Sequence, residues 1–162
     1  LPGVGSFSHG MMGLKDANLI ESITTHVRKK KPLLGICLGM QFLFDKGNEG
    51  GVQEGLGFIP GIVERFKETP SLCIPHVGWN EVIQAKNHNL FHGVKTEIDF
   101  YFVHSYHVRC NSKYVLGNTD YGERFPSIVS NNNVIGMQFH PEKSQKNGLL
   151  MLENFCLWDG KC

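Results

Sequence analysis

The chain has 162 residues, 41% of them hydrophobic and 19% charged, which suits one domain with a buried core and excludes wholesale disorder. Its 16 lysines and arginines against 15 aspartates and glutamates leave a net charge of +1, excluding a nucleic-acid binder that works through bulk charge. No apolar run approaches the roughly 18 residues that a membrane-spanning helix needs.

Leu1, not Met, opens the chain, and Leu1-Pro2-Gly3-Val4-Gly5 reads as the end of a strand, so the natural start is expected upstream. A loop from Gly5 to Gly13 is expected next. Leu19, Ile20, Ile23 and Val27 then recur at helical spacing. Asp16 or Asn18 is the expected cap of this helix, and Asn18 with Glu21 has capping-box spacing. Arg28-Lys29-Lys30-Lys31 closes the helix, where cations suit the negative end of its dipole.

Pro32 stops the helix, and Leu33-Leu34-Gly35-Ile36 is apolar enough for a buried parallel strand. A helix is expected over Leu38 to Phe44, with a Gly-rich loop from Gly47. From about Phe58 short β-type segments take over, including the aromatic-rich stretch from Ile98 to Val103. Asn131-Asn132-Asn133 separates Ser127-Ile128-Val129 from Val134 to Phe139, and asparagine tolerates the positive φ of a hairpin turn. Leu149, Leu150, Leu152 and Phe155 return to helical spacing. Alternating β and α segments, an antiparallel insertion and a last helix imply an α/β fold with helices on both faces of a sheet.

The five cysteines are Cys37, Cys73, Cys110, Cys156 and Cys162. An odd number without a Cys-x-x-Cys pair makes a poor disulfide or zinc framework, so reduced thiols and a cytoplasmic location are expected. Metal binding is not expected either. His104 and His107 are three apart in an extended segment, which would aim them at opposite faces, and the remaining histidines read mostly as surface or loop residues.

Gly35-Ile36-Cys37-Leu38-Gly39, between a strand and a helix, has the pattern of a nucleophile elbow with Cys in place of Ser. Its glycines relieve a sharp turn, and the helix N-terminus behind it would favour a thiolate. A small buried hydrophobe explains Cys37 equally well. His140-Pro141-Glu142 shifts that balance toward catalysis, because it offers a base and an orienting carboxylate within three residues. Pro141 stiffens the link and lets Glu142 fold back onto the imidazole. The N–H groups of the Pro2-Gly3-Val4-Gly5 loop and of Leu38 are candidate oxyanion donors.

Gly35-Ile36-Cys37-Leu38-Gly39-Met40-Gln41, taken with His140-Pro141-Glu142, resembles the class I (triad) glutamine amidotransferases. Pro75-His76-Val77-Gly78-Trp79-Asn80, Tyr101-Phe102-Val103-His104-Ser105-Tyr106 and Glu142-Lys143-Ser144 narrow the resemblance to the branch of glutaminase subunits that serves histidine biosynthesis. The resemblance runs from Leu1 nearly to Phe155. It implies a flavodoxin-like open mixed sheet in a single amidotransferase domain over residues 1–162, short of the family's N-terminal strand–helix–strand unit.

The resemblance also implies roles. Cys37 would attack the glutamine carboxamide, His140 would protonate the departing ammonia, and Glu142 would orient the imidazole. N–H groups near Val4, in the loop that starts with Gly3, and of Leu38 would hold the oxyanion. Gly5, Gln41, Glu49, His104 and Ser105 would hold the amide and amino-acid ends of glutamine. Lys143 falls near the entrance of a channel carrying ammonia to a (β/α)8-barrel synthase, the partner in a heterodimer that needs no cofactor. Two other readings stay open. One is a paralogue supplying ammonia for amidine-bearing sugars of surface glycans, which Ser144-Gln145-Lys146-Asn147-Gly148 resembles slightly more. The other is a non-catalytic regulatory relative, disfavoured by the presence of nucleophile, base and carboxylate together.

Overall fold

The computed structural model describes residues 1–70 and 72–161. Its elements in chain order are α1 (Phe7–Asp16), α2 (Leu19–Arg28), β1 (Leu33–Ile36), α3 (Leu38–Gln41), β2 (Phe44–Gly47), β3 (Gln53–Glu54) and β4 (Ile59–Arg65). There follow β5 (His76–Gln84), β6 (Ile98–His104), β7 (Tyr106–Cys110), β8 (Val115–Tyr121), β9 (Glu123–Asn131), β10 (Val134–Met137) and α4 (Gln145–Leu157). Cys162 lies outside the described residues; Cys37, Cys73, Cys110 and Cys156 are free thiols.

Six strands pair in the order β1-β10-β9-β8-β5-β6, and four in the order β3-β2-β4-β7. The pairs β1/β10 and β2/β4 are parallel, and the other pairs are antiparallel. This is a mixed α/β fold with an open mixed sheet. The chain leaves the six-stranded sheet at His104 and enters the four-stranded one at Tyr106, so Ser105 alone makes the corner between them. One apolar cluster gathers Phe100, Phe102, Phe125, Phe139 and Met151, and the other gathers Phe7, Met40, Leu43, Phe44 and Ile59.

Several expectations hold. Leu33 to Ile36 is a strand parallel to its neighbour, Ile98 to Val103 lies in β6, and the C-terminal helix forms as α4. The Asn131–Asn133 hairpin also forms, with Asn132 at φ 52° between β9 and β10. Leu1 extends beside β1, its amino group donating to Leu34 O at 2.7 Å and its carbonyl accepting from Ile36 N at 3.0 Å.

Three expectations are corrected. The stretch from Gly5 to Gly13 is not all loop, because α1 starts at Phe7 behind Ser6, whose hydroxyl accepts from His9 N. Phe7 and Met11 bury one face of that helix. Gly10 sits inside it as a packing residue, since a Cβ there would come within 2.2 Å of the Phe42 ring. Asn18 makes no capping hydrogen bond to α2; it takes the left-handed conformation just past the end of α1, where asparagine stands in for glycine. Finally, the helix expected over Leu38 to Phe44 ends at Gln41, and Phe44 already pairs with Ile59 in β2. Phe42, Leu43 and Phe44 are all buried, so their apolar run marks a buried strand entry and not another helical turn.

Candidate active site

β1 and β10 run side by side in parallel, with Ile36 opposite Met137. Both then release the chain at their C-terminal ends, where open α/β sheets place ligands. Cys37 follows one strand, and Gln138 and His140 follow the other.

Cys37 stands at φ 54°, ψ −111°, a sparsely populated conformation for a residue with a side chain, between β1 and α3. Its N–H is anchored to Met137 O at 2.8 Å. The flanking glycines are sterically required. A Cβ on Gly35 would lie 2.5 Å from Gly39 O, and one on Gly39 would lie 1.8 Å from Leu1 O. The elbow read from sequence is therefore a backbone feature.

The sulfur rests as a thiol. Burial pushes Cys37 up to about 11, and the Glu142 carboxylate adds to the rise. The Leu38 N–H, the Gln138 amide and the Lys143 ammonium oppose it without winning. The expectation that a helix N-terminus would favour the thiolate is thus outweighed, since α3 has only 4 residues and the sulfur is buried. The thiol donates to Val103 O at 3.9 Å and accepts from Gln138 Nε2 at 3.8 Å.

His140 is held at both ends. Its backbone N–H donates to Tyr101 O at 2.9 Å, and a 3-10 turn over Pro141–Lys143 folds Glu142 back so that Oε1 is 2.7 Å from His140 Nδ1. A carboxylate accepts, so Nδ1 carries the proton and Nε2 keeps a lone pair for use as a base. Buried Ser144 braces the turn: its hydroxyl donates to His140 O at 2.7 Å and accepts from Tyr101 N at 2.9 Å.

Two cavities meet this region. One of about 220 Å³ is lined by Gly5, Cys37, Leu38, Gln41, Glu49, His104 and Ser105, uniting seven of the residues singled out from sequence. The other, about 470 Å³, is lined by Pro2, Gly3, Val4, His140, Glu142 and Lys143. Gly5, at φ 89°, lines the first, and the residues before it in the same loop line the second. Glu49 is pinned by Phe7 N–H, which donates to its Oε2 at 2.7 Å from the N-terminus of α1.

His104 and His107 do not face apart. The corner at Ser105 brings both rings onto Phe66, at centroid distances of 5.3 and 4.5 Å. His76 is not a surface residue either; it is buried in β5. Burial pushes His76 down to about 4 and His104 down to about 3, so both are neutral at neutral pH. Their tautomers follow from the neighbours. His104 Nδ1 must donate to Tyr106 O at 2.8 Å, so its Nε2 accepts from His76 Nδ1 at 3.0 Å. His76 Nε2 in turn accepts from Asn80 Nδ2 at 3.2 Å. This chain of donors fixes the Val103–Ser105 rim of the smaller cavity. Among the described residues, no group of three or more His, Cys, Asp or Glu is disposed to hold a metal ion.

Beside the larger cavity, β5 and β6 present cross-strand pairs Val77–Val103 and Trp79–Tyr101. Val4, Val77 and Trp79 are 90%, 56% and 48% exposed. Lys143 Nζ lies 5.9 Å from the centre of the Tyr101 ring. Trp79, Tyr101 and Lys143 thus lie together, an aromatic pair with a cation at its edge.

A strained cysteine elbow and a carboxylate-held histidine thus lie at the ends of adjoining parallel strands. The class-I glutamine amidotransferase family model matches residues 1–158, and the chain belongs to that family. It is 49% identical over 156 residues to imidazole glycerol phosphate synthase subunit HisH 1 of Campylobacter jejuni, covering 96% of this chain and 78% of that protein. It is likewise 49% identical over 155 residues to the HisH subunit of Methanocaldococcus jannaschii, covering 96% and 77%. HisH 2 of Vibrio vulnificus is 47% identical over 159 residues, covering 98% and 74%. Among solved structures, the fold is similar to PurLQS from Thermotoga maritima, with TM-score 0.70 and 19% identity over 96% of this chain and 77% of that one. A further glutamine amidotransferase crystal structure matches with TM-score 0.67 at 19% identity, covering 96% and 77%.

Gln138 is the residue that sequence reasoning missed. It lies inside the stretch expected as a strand, and only the pairing of β1 with β10 reveals that it abuts Cys37.

Proposed function

We propose that this chain is the glutaminase subunit of an imidazole glycerol phosphate synthase, and that Cys37, His140 and Glu142 are its catalytic triad. The observation that carries this reading is the placement of the Cys37 elbow beside the His140–Glu142 pair, bonded at 2.7 Å, at the ends of two adjoining strands. The common name of the HisH relatives favours histidine biosynthesis over the glycan branch.

Glutamine enters the smaller cavity with its α-ammonium group toward Glu49 and its carboxamide toward Cys37. His140 Nε2 takes the thiol proton as Sγ attacks the carboxamide carbon. The N–H groups of Val4 and Leu38 hold the resulting oxyanion. The proton passes to the leaving nitrogen, the C–N bond breaks, and ammonia departs from a glutamyl thioester. Water, deprotonated by His140, cleaves the thioester to glutamate and restores the thiol. The net reaction is glutamine plus water to glutamate plus ammonia.

The ammonia leaves through the larger cavity, past Lys143, to a (β/α)8-barrel synthase docked on the exposed Val4, Val77 and Trp79. There it completes imidazole glycerol phosphate, with an aminoimidazole carboxamide ribotide as co-product. A cytoplasmic location fits a nucleophilic thiol that must stay reduced.

The test uses the full-length subunit with its partner. Cys37→Ala is expected to abolish glutamine-dependent synthesis and leave synthesis from ammonium salt intact. Glutamine turnover by the variant at the wild-type rate would overturn the assignment.

A further inference from the structure

The side chain of Gln138 is fully buried, on a strand end where Val134, Ile135, Gly136, Met137 and Phe139 are otherwise apolar or glycine. An apolar side chain there would avoid the cost of desolvating a primary amide, roughly 1–3 kcal/mol if left unpaired. Its partners account for the amide. Gln41 Nε2 donates to Tyr106 O at 3.1 Å and to Gln138 Oε1 at 3.1 Å, and Gln138 Nε2 reaches Cys37 Sγ at 3.8 Å.

The direction of this chain is not a free choice. Tyr106 O is a main-chain carbonyl and only accepts, so the Gln41 atom facing it must be Nε2. That NH2 group then requires an acceptor from Gln138, which is Oε1. The remaining Gln138 atom, pointing at sulfur, is therefore the donor Nε2. Flipping either amide would set two acceptors or two donors against each other in a buried site. The same argument leaves Gln41 Oε1 outside the relay.

We propose that Gln138 is a catalytic residue of the glutaminase step, donating its Nε2–H to Cys37 Sγ to hold the negative charge that appears when His140 removes the thiol proton, with Gln41 as the positioning residue that fixes the amide's direction. The proposal rests on the glutaminase reading above and adds a buried group that faces the thiolate. Sulfur has two neighbours of opposite preference: Val103 O accepts from the thiol, and the Gln138 amide favours the thiolate. Proton loss therefore shifts the sulfur from one partner to the other. The direction in which this amide moves the Cys37 equilibrium, downward, is consistent with that role.

The experiment compares Gln138→Met, close in length but without the donor, and Gln138→Glu, which keeps the acceptor for Gln41 and turns an acceptor toward sulfur. In the full-length subunit with its partner, two readouts are taken: the pH midpoint of Cys37 alkylation by iodoacetamide, and kcat and KM for glutamate release. Gln138→Met is expected to raise the alkylation midpoint by about one pH unit and lower kcat about tenfold, with KM within a few fold. Gln138→Glu should shift both further in the same direction. An unchanged midpoint in both variants overturns the proposal, even if kcat falls, because a purely structural role would lower kcat without moving the midpoint. Should Gln138→Met fail to fold, Gln138→Leu takes its place, since the carboxylate of Gln138→Glu raises the midpoint by its charge as well as by the lost donor. The alkylation readout does not depend on glutamine being the substrate, so its failure and failure of the glutaminase reading, seen as absent wild-type turnover, are distinguishable.

Discussion

Gly39→Ala tests the physical basis of the elbow. The added Cβ would lie 1.8 Å from Leu1 O and 2.8 Å from Leu1 C. Both are main-chain atoms, so no rotamer change relieves the overlap. To reach an ordinary contact the carbonyl must retreat by about 1.5 Å. That movement breaks the 3.0 Å bond from Ile36 N and strains the 2.7 Å bond from the Leu1 amino group to Leu34 O. Overpacking costs about 1–3 kcal/mol and a lost hydrogen bond about 1 kcal/mol, so a destabilisation of about 3 kcal/mol is expected. The displaced residue leads directly into Pro2-Gly3-Val4-Gly5, so the loop proposed to supply an oxyanion donor moves too; losing one such donor costs roughly 10²–10³ in rate. Gly13→Ala is the control. It lies in α1 with nothing within 4 Å of the added Cβ, and alanine there should be neutral or stabilising by roughly 0.5–1 kcal/mol. Urea unfolding and glutamate release would be measured for both variants. A Gly39→Ala protein with wild-type stability and turnover would refute the argument that close backbone approach dictates this glycine.

The remaining predictions concern the proton on sulfur. Because Cys37 rests as a thiol, His140→Ala should lower glutamate release by several orders of magnitude, while Glu142→Ala, which leaves the base but frees its orientation, should cost less; equal losses or none would contradict the assigned roles. Cys37 also shapes alkaline stability. Burial raises it from 9.0 to about 11, so its contribution is fully present below pH 9 and is lost as pH rises from 9 through 11. The shift corresponds to about 3 kcal/mol. Cys110, raised by burial in the same way, stays in both proteins, so the difference between wild type and Cys37→Ala in unfolding from pH 8 to 11 isolates Cys37. Identical pH dependence of the two would show that the sulfur is not desolvated in the folded state.

Much of the site was legible in sequence because it is written in short-range chemistry. Gly35 is there because the turn brings the Gly39 carbonyl onto it, and Glu142 reaches His140 because one proline sets the link between them; Gly39 fits the same local pattern although it is the Leu1 carbonyl that excludes a Cβ there. What escaped lies in long-range contact or in residues with two meanings. Gly10 and Gly13 read as loop, yet Gly10 is there for the Phe42 ring and the helix runs through both. Phe42, Leu43 and Phe44 carry no period because every side of them is buried. His104 and His107 were separated by strand alternation, which the corner at Ser105 cancels. Gln138 is 101 residues from Cys37, and no local pattern announces that the two strand ends meet.

The carbonyl of Tyr106 receives both His104 Nδ1 and Gln41 Nε2, at 2.8 and 3.1 Å. Two donor chains, one from Asn80 through His76 and one toward Gln138 and Cys37, thus converge on a single main-chain atom. A main-chain acceptor survives any side-chain replacement. The tyrosine ring, only partly buried against the second apolar cluster, is therefore open to change of identity. The number of residues around the corner is not. Adding or removing one between His104 and Tyr106 would carry the carbonyl away from both donors, so the site tolerates spelling changes at this position and rejects changes of length.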